Sequence, residues 1–285
     1  MDNKNSNTNI QDENGKQAQG IKVIAKAFQI LDLFSIEEPR LTLNQICEKL
    51  GQKKTTIYRI LCELSDVGIM GKDPLTKQYY LGLLALKYSA LVLHHLELRR
   101  RGVRFTERLA KEFDISAGIG IREGSEIVIV DIKNFNVTQA ISTNMGFRDP
   151  VHCTAIGKML LSTLPDEEIL RVIGDFPLKR NTAKTITDKD ALLLEMRKCR
   201  KDGYAVDDEE SVDGLRCLAM PVYDYTNKAI AALNVSNLSR YNMEEFKGLI
   251  LDACRLAAAD LSKEMGCLSY FANLEALKNF EAPRL

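Results

Sequence analysis

The chain has 285 residues, enough for two domains with separate cores, and its 45% hydrophobic and 27% charged content is that of an ordinary globular protein. Lys plus Arg and Asp plus Glu both number 39, so there is no global electrostatic bias, and any nucleic-acid binding has to come from a local patch. No apolar run is long enough to span a bilayer, the polar N-terminus lacks a secretory core, and the 7 scattered cysteines include no CxxC pair. This predicts a cytoplasmic protein with reduced thiols, no metal site, no cofactor and no membrane partner.

Residues 1–20 are rich in Asn, Asp, Gln and Lys, have almost nothing to bury, and read as a disordered tail. Val23, Ile24, Ala27, Ile30, Leu31 and Phe34 then fall on one helical stripe. Thr42 with Gln45 reads as a capping box opening a short second helix that closes at Leu50-Gly51. KKTTIYRILCELSDVG gives a third helix. Its buried face is Ile57, Ile60, Leu61 and Leu64, and Thr55 and Arg59 point the other way, flanked by Thr56, Tyr58 and Cys62. A turn around Gly71-Lys72-Asp73-Pro74 and the stretch KQYYLG predict a two-stranded hairpin.

Helix, turn, helix and hairpin in this order predict a winged helix-turn-helix over residues 21–82. Lys53, Lys54, Lys72 and Lys77 suit phosphates. Thr55, Thr56, Tyr58 and Arg59 suit base and positioning contacts in a major groove. The competing reading is a solvated helix face in a protein-binding module. Residues 83–113 predict a long linker helix, interrupted or ended near Arg99–Gly102. Its apolar strip of Leu84, Tyr88, Leu91, Val92 and His95 would pack on the domain or on a second subunit.

From Ile115 the pattern changes. ISAGIGI, EIVIVDI and TQAIST read as strands, and helices are predicted at about 155–164, 166–173 and 188–202, the last capped by Thr187. RCLAMPVYDY and AIAALNVSN form a hairpin around Thr226-Asn227-Lys228. A final helix runs from about Asn242 to Met265, with Asn242 and Glu245 as a capping box. This is an α+β domain on an antiparallel sheet, over residues 114–266. Residues 267–285 are an extension with the pattern of a short amphipathic helix.

The segments AFQILDLF, LTLNQICEKLGQKKTTIYRILCELSDVGIM, YYLG, GFRDPVHCTAIGKMLL, TAKTITD, KDGYAVDDEE, GLRCLAMPV and AALNVS, in this order and spacing, resemble the IclR-type bacterial transcriptional regulators over about residues 20–266. The resemblance implies an N-terminal winged helix-turn-helix, a linker helix used in dimerisation, a C-terminal GAF-like effector-binding domain, and dimers or tetramers on a double-stranded DNA operator. Three features depart from the pattern. Gln52 replaces an apolar residue, Asn234 stands where Ser is frequent, and residues 267–285 lie outside it.

RDPVHCTAIGK, residues 148–158, offers three readings by itself: a thiol active site, a phosphate loop or the wall of a ligand pocket. Sequence neighbours such as His152 and Cys153 point apart, which weakens a Cys–His dyad, and the stretch lacks the glycines that wrap phosphates. Thr154 can cap the helix that follows, leaving the N–H groups of Ala155, Ile156 and Gly157 as a site for a carboxylate. The resemblance also implies that this helix start lines an effector pocket, and it carries Asp207, Cys217, Asn234 and Ser236 into that pocket by motif position. The expectation is a ligand-responsive regulator, not an enzyme, whose effector is a small organic acid, sugar acids being one class. The competing class is an enzyme or redox sensor using Cys153 or Cys217.

Overall fold

The computed structural model describes residues 22–134, 144–174, 177–238 and 242–278. The predicted tail at 1–20 and the strand predicted at TQAIST, 138–143, lie outside them. The chain divides into two compact units after His95.

The first unit opens with α1, residues 22–31. Ile30 is fully buried, and Ala27, Leu31 and Phe34 pack partly against the same core, whereas Val23 and Ile24 at the start of the stripe are exposed. Helix α2 (Leu43–Leu50) carries the Thr42–Gln45 capping box and ends on Gly51 at φ 61°, a left-handed cap that a Cβ would strain. Helix α3 (Lys54–Asp66) buries Ile57, Ile60 and Leu61. Strands β1 (Met70–Lys72) and β2 (Tyr79–Leu81) pair antiparallel as the wing. The turn between them begins at Asp73, whose carboxylate accepts the backbone N–H groups of Leu75 and Thr76 at 2.8 and 2.9 Å. Gln52 does not disturb the motif. Its side chain lies on the surface, where its carbonyl oxygen accepts from Lys26 Nζ at 3.1 Å. Helix α4 (Leu84–His95) closes the unit with no buried residue.

The predicted linker breaks at Leu96, in an extended conformation, rather than at Arg99–Gly102. Helix α5 (Glu97–Phe113) belongs to the second unit and buries Leu98, Gly102, Phe105, Thr106, Leu109 and Ala110. Glycine inside a helix ordinarily costs about 1 kcal/mol relative to alanine. Gly102 is there for contact: a Cβ on it would lie 2.1 Å from Ile119 Cδ1. The glycine that read as an interruption packs directly on a sheet residue.

That sheet is six-stranded and antiparallel, in the order β5-β4-β3-β8-β7-β6. Its strands are β3 (Ser116–Glu123), β4 (Glu126–Lys133), β5 (Arg148–Pro150), β6 (Ala205–Asp208), β7 (Leu215–Tyr223) and β8 (Ala229–Leu238). Alternation sorts the two faces. Ala117, Ile119, Leu218, Met220, Val222, Leu233 and Val235 form one core with α5 and α9 (Met243–Glu264). Ile127, Ile129, Cys217, Ala219 and Ala232 face α6 (Ala155–Ser162), α7 (Asp166–Ile173) and α8 (Lys189–Asp202) in a second core. The unit is therefore a three-layer α+β domain. Asp188 caps α8 by accepting the Ala191 N–H at 2.8 Å. The predicted cap, Thr187, instead accepts from Arg180 at 3.1 Å, because its hydroxyl is turned toward the preceding loop. Asn242 and Glu245 form the capping box of α9 as predicted. The extension forms α10 (Tyr270–Lys278), which buries Tyr270 and Leu274 in the first core and Leu277 in the second.

Candidate functional site

Two regions of the molecule gather the residues singled out above, one in each unit. In the first, α3 presents Lys54, Thr55, Tyr58 and Arg59 as an exposed face, with Lys53 exposed just before it. Thr56 is half-buried, turned toward the flank of the helix. Helix α3 starts without a side-chain cap and without an acidic residue in its first turn. Two lysines at that positive end oppose the helix dipole, which costs stability and leaves the N-terminus suited to an anion. Among the described residues Lys53, Lys54, Arg59 and Lys77 make no ion pair, so their charge is available to a ligand.

Lys72, the expected phosphate contact on β1, is exposed and also rests on two aromatic rings. Its ammonium lies 5.0 Å from the Tyr79 ring centre and 5.9 Å from that of Tyr58, and a hydrogen bond to Tyr79 holds its pKa up. It braces β1 against α3 as much as it faces solvent. Arg40 was missed in the sequence. It stacks 5.0 Å over Tyr80 and bonds the Asp73 carboxylate at 3.0 Å, fixing the base of the wing turn. No local pattern marks it, because the pairing spans the whole motif.

The second region is a cavity of about 80 Å³ on the α6 side of the six-stranded sheet. The strand register explains its floor. Asp207 pairs with Cys217, Cys217 pairs with Ser236, and Ala219 pairs with Asn234, so these side chains form adjacent rows on one face. Ala155 and Ile156 supply the roof, and Ile127, Ile129, Phe147 and Leu215 supply the apolar wall. Asp149 and Ser211, which the sequence reading did not select, also line it. Ile127 and Ile129 were accessible to period-2 reasoning along EIVIVDI; Asp149 was not, since β5 is too short to show a period.

Gly157 does not line the cavity. Thr154 Oγ1 caps α6 by accepting the Gly157 N–H at 3.1 Å, which consumes the third amide of the turn. A Cβ on Gly157 would lie 2.2 Å from the Val151 carbonyl oxygen, so this glycine serves a backbone crossing. The Ala155 and Ile156 amides, at the first two positions of the helix, have no intrahelical acceptor.

Polar chemistry in the cavity is dominated by acceptors. The fully buried Asp207 carboxylate accepts from the Glu210 N–H at 2.7 Å, from the Ser211 N–H at 3.3 Å and from the Ser211 hydroxyl. A carboxylate offers about four lone-pair directions, so one is left for a ligand. The Asn234 amide donates to Ser236 Oγ at 3.3 Å, and its carbonyl oxygen is buried with no partner. The turn carrying Glu210 is anchored from two sides. Thr182 and Thr185 donate to its backbone carbonyls at 2.7 Å, and the buried Lys158 ammonium bonds the Glu210 carboxylate. Burial works against the Lys158 charge, and the Glu210 and Glu195 carboxylates outweigh it.

No thiol here is poised for nucleophilic chemistry. Burial pushes Cys153 and Cys217 far above the ordinary thiol range. His152 Nε2 is engaged with the Lys179 carbonyl at 2.9 Å, while the Cys153 thiol points to the Pro150 carbonyl at 3.7 Å. The two side chains form no dyad.

Comparisons with known proteins agree with this architecture. The IclR helix-turn-helix domain matches residues 23–74, and the C-terminal domain of bacterial transcriptional regulator IclR matches residues 90–263. The regulator XynR of Escherichia coli (strain K12) is 29% identical over 219 residues, covering 77% of this chain and 87% of XynR. KdgR of the same organism is 29% identical over 262 residues, covering 90% and 97%. The crystal structure of the Thermotoga maritima IclR superimposes with a TM-score of 0.68 at 26% identity, covering 87% of this chain and 100% of that one. An IclR homologue from Microbacterium hydrocarbonoxydans, complexed with 4-hydroxybenzoate, shares the fold with a TM-score of 0.70 at 22% identity, covering 85% and 98%. The chain belongs to the IclR family of bacterial transcriptional regulators, non-enzymatic proteins with a helix-turn-helix DNA-binding domain and a C-terminal effector domain.

Proposed function

We propose that the cavity over the Asp207–Cys217–Ser236 row is the effector site of this regulator, and that its ligand is a small carboxylate carrying hydroxyl groups. One observation supports this reading above the others. An apolar-walled cavity has the N-terminus of α6 at its roof and, among the described residues, a buried, unpartnered carbonyl oxygen of Asn234 on its floor. The Ala155 and Ile156 amides suit a carboxylate, and Asn234, Ser236 and the remaining lone pair of Asp207 suit hydroxyl donors. At about 80 Å³ the cavity is well below the roughly 300 Å³ at which ordinary ligand pockets begin. It therefore takes a small acid, or it widens when a sugar acid enters. The bound 4-hydroxybenzoate of the Microbacterium homologue is likewise a hydroxylated carboxylate.

On DNA, Lys53, Lys54 and Lys77 neutralise phosphates, Thr55, Tyr58 and Arg59 contact bases, Thr56 positions the helix, and Lys72 adds a phosphate contact from its braced position. The protein acts in the cytoplasm as a homodimer or a dimer of dimers. Helix α4, with no buried residue and exposed Leu86, Tyr88, Leu91 and Val92, supplies the subunit contact. Effector binding shifts the population between conformations with different half-site geometry.

The test is fluorescence anisotropy on the intergenic DNA upstream of the protein's own gene, with a scrambled duplex as control. Preference for the native duplex, altered by a small carboxylate, supports the reading. Equal, weak and salt-sensitive binding to both duplexes, unchanged by any acid, counts against it.

A further inference from the structure

The cavity contains one ionisable group that nothing so far has used. Asp149 lies on β5, directly before the Pro150 that leads into α6, and its side chain lines the same cavity as Asp207. The two carboxylates are not equivalent. Burial raises the pKa of Asp207, and bonds from two backbone amides and one hydroxyl act against that rise. Among the described residues, the Asp149 carboxylate accepts no hydrogen bond. The fixed donors at the roof are the two α6 amides, which are partial charges and not a full cation. A carboxylate ligand entering here therefore meets two acids, and the nearby cation Lys179 does not line the cavity.

We propose that Asp149 selects the ligand's charge state: an anionic effector enters only as Asp149 takes up one proton from solvent, and the neutral acid then donates a hydrogen bond to the ligand. This rests on the cavity being the effector site.

The surroundings of Asp149 favour that proton. Burial pushes its pKa up to about 6, and the Asp207 charge adds to the effect. Facing it from the other elements are Glu126 on β4, which raises its pKa further, and Lys179 in the loop before α8, which lowers it. Cys153 and Cys217 also face it, and both remain thiols. Near neutral pH in the free protein Asp149 is mostly ionised. Bringing an anion beside it raises its pKa through the working range, so ligand affinity falls as pH rises above about 6.

The linkage sign follows for the free protein as well. The folded-state pKa of Asp149 is raised above the unfolded value, so the folded state holds the proton more tightly. Stability is then lost as pH rises from the unfolded pKa through about 6, and is flat beyond. Asp149→Asn keeps the shape and removes the charge. It should melt higher than the parent at pH of about 7.5 and equally at pH of about 4, a comparison that needs no ligand.

The deciding experiment is titration calorimetry of the full chain with lactate, glycerate, gluconate and 4-hydroxybenzoate, and with neutral lactamide as control. It is run at pH values of about 6.5 and 7.5, in two buffers of different ionisation heat. We expect uptake of close to one proton per acid bound at the higher pH, and a loss of affinity on the order of tenfold between the two. Asp149→Asn should bind the same acid with no proton uptake and little pH dependence. If an acid binds parent and variant alike, without proton uptake, Asp149 has no such role and the cavity reading stands. If no acid binds either protein, the cavity reading itself fails and this inference fails with it.

Discussion

Arg59 is exposed on α3, one turn beyond Thr55, with no ion pair among the described residues to satisfy it. An unpaired guanidinium on the second helix of a helix-turn-helix suits the bidentate contact to guanine that the proposed function assigns to base reading. Arg59→Ala is expected to weaken specific DNA binding by about 1–3 kcal/mol while changing non-specific binding little. An unchanged affinity for cognate DNA would remove Arg59 from the interface. Asp207 presents the opposite case, a residue whose chemistry faces inward first. It was expected to meet the ligand, and most of its acceptor capacity goes to the turn at Glu210 and Ser211. Asp207→Ala leaves two buried amides without partners, at a cost of about 1–3 kcal/mol each. The effector response should therefore be lost together with a lower melting temperature, and a variant that lost the response at unchanged stability would make Asp207 a ligand contact alone.

At the scale of elements, α4 is the outlier. Helices in folded proteins hide an apolar stripe, yet α4 leaves Leu86, Tyr88, Leu91 and Val92 exposed. The sequence stripe was legible; what covers it was not, because an apolar stripe does not say which surface it meets. Leu91→Glu is expected to shift the protein toward monomer in light scattering and to weaken DNA binding through loss of the paired half-site. An unchanged mass would move the subunit contact elsewhere. Helix α5 teaches a related lesson. Its sequence joins α4 with no proline, and the expectation was one long helix interrupted or ended near Arg99–Gly102. The break came at Leu96 instead, and the docking of Gly102 on Ile119 depends on a sheet that lies later in the chain. Helix α10 was placed only as amphipathic. Tyr270, Leu274 and Leu277 reach the cores of the effector domain, and Asn227 in the β7–β8 turn accepts from Ser269 and Asn273 at 2.8 and 3.0 Å. Those partners lie some forty residues away, beyond the reach of any local pattern.

Across the whole molecule, two compact units are joined near Leu96, one reading DNA and one holding the effector. Whatever factor the effector applies to DNA affinity, DNA must apply to effector affinity, since the coupling free energy belongs to both. Calorimetry of the effector with and without operator DNA should return the same factor as anisotropy with and without effector. Unequal factors would reveal a third linked equilibrium, with subunit assembly the first to examine.

The sequence by itself determined the order and type of the elements. Capping boxes at Thr42 and Asn242, period-2 strands and turn residues are local, and each is set by a few neighbouring side chains. It also determined the exposed face of α3, because helical period alone separates Arg59 from Ile60. The tertiary structure decided what depends on register and approach. Strand pairing set Asp207, Cys217 and Ser236 side by side, and the short β5 brought Asp149 to them. The crossing at Val151 withdrew Gly157 from the cavity. Each of these is a meeting between segments far apart in the chain, and only folding makes such segments neighbours.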